Sequence, residues 1–334
     1  MPTEERPAKR AREDSSVEST VIRSPDYWFE DGSIILQAET TQFRVVKSVL
    51  AIHSTVFRDM FSVPLPADEP LVEGCPVVFL PGDKAGDWKH LLDAMYPQTC
   101  FPKNGPSIEE LSALLRLSKK YDIASFRKRC IECLKSEFPT TLEAYDAMPE
   151  DWEHLYVPQE CKSVQLRVHV ANLSREVGLH SVLPGVLYGL VAACDPNAEG
   201  ILSDEFQALN VADQLLCFKA FAKFVRRYDT TPLRWLAEDV AIPCDGCEDP
   251  EACEEERKTL ALAWATDAFT VAHILDSWDH DTDWQNSKTQ KGLCDPCLTQ
   301  GREIHQSARA EWWIKLPSYF DLPPWEELLK MDLE

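Results

Sequence analysis

Residues 27–61 read Tyr-Trp-Phe-Glu-Asp-Gly-Ser-Ile-Ile-Leu-Gln-Ala-Glu-Thr-Thr-Gln-Phe-Arg-Val-Val-Lys-Ser-Val-Leu-Ala-Ile-His-Ser-Thr-Val-Phe-Arg-Asp-Met-Phe. Ile34-Ile35-Leu36 and Phe43-Arg44-Val45-Val46 are β-prone, with polar Glu39-Thr40-Thr41 between them. That pattern predicts a hairpin, although no Asn-Gly turn is present. The spacing then changes. Lys47, Val49, Leu50 and Ile52 form a short run that ends at His53-Ser54. Ser54 is placed to cap a new helix, in which Val56, Phe57, Met60 and Phe61 follow at helical intervals.

The run Phe43-x-Val45-x-Lys47-x-x-Leu50-x-x-x-Ser54-x-x-Phe57 resembles the signature of the BTB/POZ domain, in which a hairpin feeds a short helix and a serine starts the next. Further pieces follow in the family's order. Pro76–Leu80 is similar to the third strand, and Trp88–Tyr96 to the helix ending in Leu-Leu-x-x-x-Tyr. Leu114–Tyr121 resembles Leu-Leu-x-Leu-Ala-x-Lys-Tyr, and Phe126–Leu134 the last helix. The resemblance is closest to BTB proteins of mushroom-forming fungi. Val46 stands where the family often has His, and Ser33 where it often has Asp, so the charged pocket of its transcription-factor branch is not carried over.

The resemblance implies an α+β domain (a small α/β fold) over residues 25–138. Leu50, Phe57, Met60, Leu91, Leu115 and Tyr121 are expected in one core. It also implies a protein-interaction role: self-association as a homodimer, or the holding of a protein partner, in the cytoplasm or nucleus. Some relatives are adaptors for cullin-type ubiquitin ligases, but no apolar-x-Glu motif follows Phe61. Residues 1–24 lack the apolar content of a swapped amino-terminal strand. They read as a disordered polar tail, in which Lys9-Arg10-Ala11-Arg12 fits a short nuclear-import pattern.

After Pro139 the periodicity is helical, so residues 139–334 are read as an all-α domain. Cys161–Glu176 ends at Gly178, a natural C-cap glycine. Leu183–Cys194 is apolar but too short to span a bilayer. Val211, Leu215, Phe218, Ala222 and Val225 recur as one stripe, expected to be buried. From Glu254 the stripe Leu260, Trp264, Asp267, Val271, Leu275 and Trp278 runs similarly. A helix holding Ile304, Ala308 and Trp312 is expected to stop before Pro317, and a short one to start at Pro323-Pro324-Trp325. Core packing is the expected use of the aromatic residues at this end.

The chain has 334 residues and a formal net charge of −22, which disfavours broad contact with phosphate backbones. Its 12 cysteines come without a secretory h-region, which points to free thiols or metal ligands rather than disulfides. Two pairs stand out: Cys244-Asp245-Gly246-Cys247 and Cys294-Asp295-Pro296-Cys297. Each Cys-x-x-Cys turn can offer two thiolates, and tetrahedral zinc takes four. The stretch 248–293 between them exceeds the roughly 15–20 residues usual for such sites, so a helix is expected to be inserted. Cys253 and His273 are spare candidate ligands. Cys130 and Cys133 fall mid-helix and read as small core residues. Asp279–Asp283 begins like a calcium loop but lacks its glycine and its closing glutamate.

No nucleophile elbow, zinc-protease helix or phosphate-binding loop is present, and a non-catalytic protein is expected. The alternative is a zinc-containing transcriptional regulator. It would need Lys or Arg beside the cysteine pairs, where Glu248–Glu256 is acidic.

Overall fold

The computed structural model describes residues 20–64, 71–97, 105–149, 151–193, 201, 203–226, 232–237, 242–266, 274–278 and 292–332, without the side chains of 225–226 and 263–266. They fall into two compact units, residues 1–96 and 97–334.

The first unit contains strands β1 (Ile22–Trp28), β2 (Ile34–Ala38) and β3 (Thr41–Val45). Helices α1 (Lys47–His53) and α2 (Thr55–Ser62) follow, then β4 (Leu71–Val72), β5 (Cys75–Phe79) and α3 (Ala85–Met95). The sheet order is β1-β3-β2-β5-β4. β2 and β3 form the expected antiparallel hairpin, with Ile34 opposite Val45 and Leu36 opposite Phe43, all four side chains buried. The turn works without glycine because Glu39 itself takes φ +51°. Its carboxylate accepts the Ala85 amide at 2.9 Å, supplying the cap that Lys84 does not give α3. Ser54 caps α2 by accepting the Phe57 amide at 3.1 Å. Ser33 accepts the Lys47 amide at 3.0 Å, and so does for α1 what Val46 cannot. The six residues expected in one core do not share it: Leu50, Phe57 and Leu91 are buried in this unit and Met60 is half-buried, whereas Leu115 and Tyr121 are buried in the second unit, Leu115 within its helical core.

The tail reading needs a correction. Residues 1–19, with the basic motif at 9–12, lie outside the described residues, but Ile22–Ser24 already belong to β1. This strand runs parallel to β3, with Ile22 paired to Thr41. The apolar requirement is modest because β1 is an edge strand: its backbone pairs on one side, while Ile22 and Arg23 stay exposed.

The second unit is helical: α4 (Ile108–Lys120), α5 (Ala124–Glu137), α6 (Leu142–Asp146), α7 (Ser163–Val177), α8 (Leu183–Ala192), α9 (Val211–Arg226), α10 (Pro250–Thr266), α11 (Asp295–Tyr319) and α12 (Trp325–Met331). Ser107 and Glu110 form a full capping box at the start of α4. Gly178 ends α7 at φ +83°, a left-handed position that costs glycine little. One apolar core runs from Ile108, Leu134 and Phe138 through Leu166, Leu187 and Tyr188 to Trp312 and Phe320. The expected boundary at residue 138 therefore falls inside this unit. Cys130 is buried in that core and Cys133 is half-buried, its thiol donating to the His154 carbonyl at 3.0 Å.

The stripe on α9 faces the other way. Val211, Leu215 and Phe218 are 78%, 55% and 43% exposed, and Ala222 is exposed too. Val225 lies outside the residues with described side chains. The inner face is Asp213, Cys217, Ala220 and Phe224. An acid can lead this face because Arg175 donates to both Asp213 oxygens, at 2.6 and 3.1 Å, and Asn210 donates to one of them. A paired, hydrogen-bonded carboxylate can be buried, and hydrophobic spacing alone misses that.

Helix α11 does not stop before Pro317; it runs through it to Tyr319. Proline removes the amide that would bond the carbonyl four residues earlier. That carbonyl belongs to Trp313, and it accepts the Trp325 indole N–H instead, at 2.9 Å. The same two rings stack, with centroids 5.5 Å apart. Among the described residues no helix is long and apolar enough to cross a membrane.

Candidate metal centre

A second, smaller core sits around the amino-terminal half of α11. It holds Leu233, Trp235, Leu236, Ile242, Leu260, Trp278 and Leu293, together with Cys253 and Cys297. Gly301 lets α11 come close: a Cβ there would lie 3.2 Å from the Trp235 ring. Half-buried Cys244, Cys247 and Cys294 pack against the same core.

Local chemistry builds each thiol position. Cys244–Cys247 is a turn closed by the Cys247 amide on the Cys244 carbonyl, at 3.0 Å. Asp249 then caps α10, its carboxylate accepting the Ala252 amide at 3.1 Å. This start places buried Cys253 in the first turn of α10. Cys294 is the N-cap residue of α11, Pro296 fits the first turn, and Cys297 completes that turn. Two helix starts thus converge on one group of sulfurs, where the dipoles favour negative charge.

The two pairs meet. Cys247 Sγ lies 3.7 Å from Cys294 Sγ, and Cys244 Sγ lies 3.6 Å from Cys297 Sγ. The sulfurs of Cys247, Cys253, Cys294 and Cys297 all lie within 4.8 Å of one another. Three of the four residues singled out from the sequence are in this group. Cys253, foreseen only as a spare, is the fourth, and Cys244 sits at the edge of the group on Cys297. The helical turn beginning at Pro250 is the signal that turns Cys253 inward. His273 and Asp279–Asp283 lie outside the described residues.

Backbone amides also point at the sulfurs. Cys294 N–H donates to Cys253 Sγ at 3.3 Å, and Cys244 N–H to Cys297 Sγ at 3.4 Å. The amides of Glu248 and Cys297 draw the Cys294 thiol down to about 7. Burial pushes Cys247 up to about 11 and Cys297 up further. A bound cation favours the thiolate form of its ligands. The surrounding Asp245, Glu248, Asp249, Glu251 and Asp295 are exposed, while Glu254 is held at about 2 by Arg257 and Lys258. Such a set can hold a soft or borderline metal in a closed shell.

Comparison with known proteins bears on the other end of the chain. No curated protein matches the sequence. The family model of the BTB/POZ domain, a module that mediates protein–protein interaction, matches residues 31–137, from the turn before β2 to the end of α5, and an all-helical region follows this domain.

Proposed function

We propose that this chain is a non-catalytic protein–protein interaction protein of BTB/POZ type, a self-associating scaffold or adaptor working in the cytoplasm or nucleus. The match over residues 31–137 carries this reading. Its interaction domain spans residues 25–138, and the helical remainder, 139–334, carries the cysteine cluster. The surface of the first unit supports the reading. Ile52, Val56 and Val63, on α1, on α2 and just after it, are exposed, and β1 is an edge strand. A cullin scaffold as partner has no motif behind it. The transcriptional-regulator alternative meets Glu248, Asp249 and Glu251 beside the first cysteine pair instead of basic residues.

The knuckles Cys244/Cys247 and Cys294/Cys297, with Cys253 beside them, form a structural zinc centre in this reading. The sulfur-to-sulfur distances support it. Sedimentation of the full chain across micromolar concentrations tests self-association, and a concentration-dependent dimer is the expected result. A monomer at every concentration refutes it and leaves the hetero-partner form, to be sought by pull-down and mass spectrometry.

A further inference from the structure

The cluster offers five sulfurs, and a closed tetrahedral site takes four. With Zn–S bonds of about 2.3 Å, the sulfurs of a tetrahedron stand about 3.8 Å apart. Cys247, Cys253, Cys294 and Cys297 are within 4.8 Å of one another, so small side-chain rotations close them onto one ion. Cys244 is not in that group; its sulfur and its amide both meet the group at Cys297, sulfur to sulfur at 3.6 Å and amide to sulfur at 3.4 Å.

We propose that Cys247, Cys253, Cys294 and Cys297 bind one zinc ion as a closed four-thiolate site, and that Cys244 serves it as an amide donor and neighbouring thiol, not as a ligand. The assignment rests on reading the cysteine knuckles as a structural metal centre. Cys253 and Cys297 are buried, and each sulfur receives a backbone N–H, the usual way of offsetting charge on a thiolate that water cannot reach. Each of these amides belongs to a cysteine of the opposite knuckle or helix, so loading the site also fixes both loops. With thiolates alone the donor set is soft, which suits zinc and excludes magnesium and calcium. Taking up one Zn²⁺ sends the four thiol protons to solvent and leaves no open position for a substrate.

The ion would tie the start of α10 to the start of α11 across residues 248–293. The core it anchors is small, being built on Leu233, Trp235, Leu236, Ile242, Leu260, Trp278 and Leu293. Cores of this size commonly need such a staple.

The test uses the full chain, stripped by chelator under reducing conditions and reloaded with zinc alone, with bound metal read by elemental mass spectrometry. Wild type and Cys244→Ser should each retain one zinc per chain, and Cys253→Ser none. Cobalt supplies a second readout that does not depend on Cys253→Ser folding. Cys253→His should keep the metal and shift the cobalt spectrum from a four-thiolate to a three-thiolate, one-imidazole pattern, whereas Cys244→His should leave it unchanged. Zinc kept by Cys253→Ser but lost by Cys244→Ser overturns the ligand set and leaves the metal centre standing. Loss from both serine variants, or an unchanged spectrum in Cys253→His, also overturns the set. A wild-type chain that takes up no zinc, and melts alike with and without chelator, overturns the metal centre itself.

Discussion

The passage of α11 through Pro317 gives a sharp test of how this fold satisfies its backbone. Trp313 is buried, and its carbonyl has lost its helical donor to proline. The Trp325 indole replaces that donor at 2.9 Å. Trp325→Phe keeps a ring against Trp313 but removes the N–H. The orphaned carbonyl should cost about 1–3 kcal/mol, and the smaller ring about 1 kcal/mol more. Pro317→Ala restores an amide one helical turn after Trp313, so in the double variant that carbonyl is satisfied again. Packing lost at position 317 appears in both arms of the cycle and cancels. The two substitutions should therefore be less harmful together than their sum, by about 1–2 kcal/mol. Urea unfolding of the four proteins, followed by far-ultraviolet circular dichroism, gives the coupling. Additivity within about 0.5 kcal/mol would refute the indole as the replacement donor.

Two further outcomes are expected. His305 is buried beside Trp278, and burial, reinforced by the Arg309 charge, lowers it from 6.5 to about 4. Between those values the unfolded chain binds more protons than the folded one. Stability from keeping His305 neutral is thus complete above about pH 6.5 and is lost as pH falls towards 4, by about 3 kcal/mol. In denaturant titrations His305→Gln should remove that part of the acid sensitivity, and parallel pH profiles for variant and wild type would show His305 is not its source. Phe57 is 1% exposed and meets Trp88 edge-on, so Phe57→Ala should cost about 3–5 kcal/mol; a loss below about 1 kcal/mol would contradict its burial.

Local rules were legible wherever the physics is local. Two β-prone runs, Ile34–Leu36 and Phe43–Val46, with polar residues between them marked the β2–β3 hairpin. Ser54 announced a helix start, because a short side chain bonding an amide three residues on depends only on neighbours in sequence. The cysteine spacing likewise marks both knuckles, since each is a turn of four consecutive residues.

What the sequence left open was decided by partners distant along the chain. The buried face of α9 turned on Arg175, which reaches Asp213 from α7 and makes an acid acceptable inside. The end of α11 turned on Trp325, which supplies the hydrogen bond that proline removes. The sulfur group turned on the first turn of α10, which carries Cys253 to Cys294 across 41 residues of chain. Periodicity and spacing describe what a segment can do alone. Only the tertiary structure supplies the partner that makes a buried charge, a helical proline or an unpaired thiol affordable.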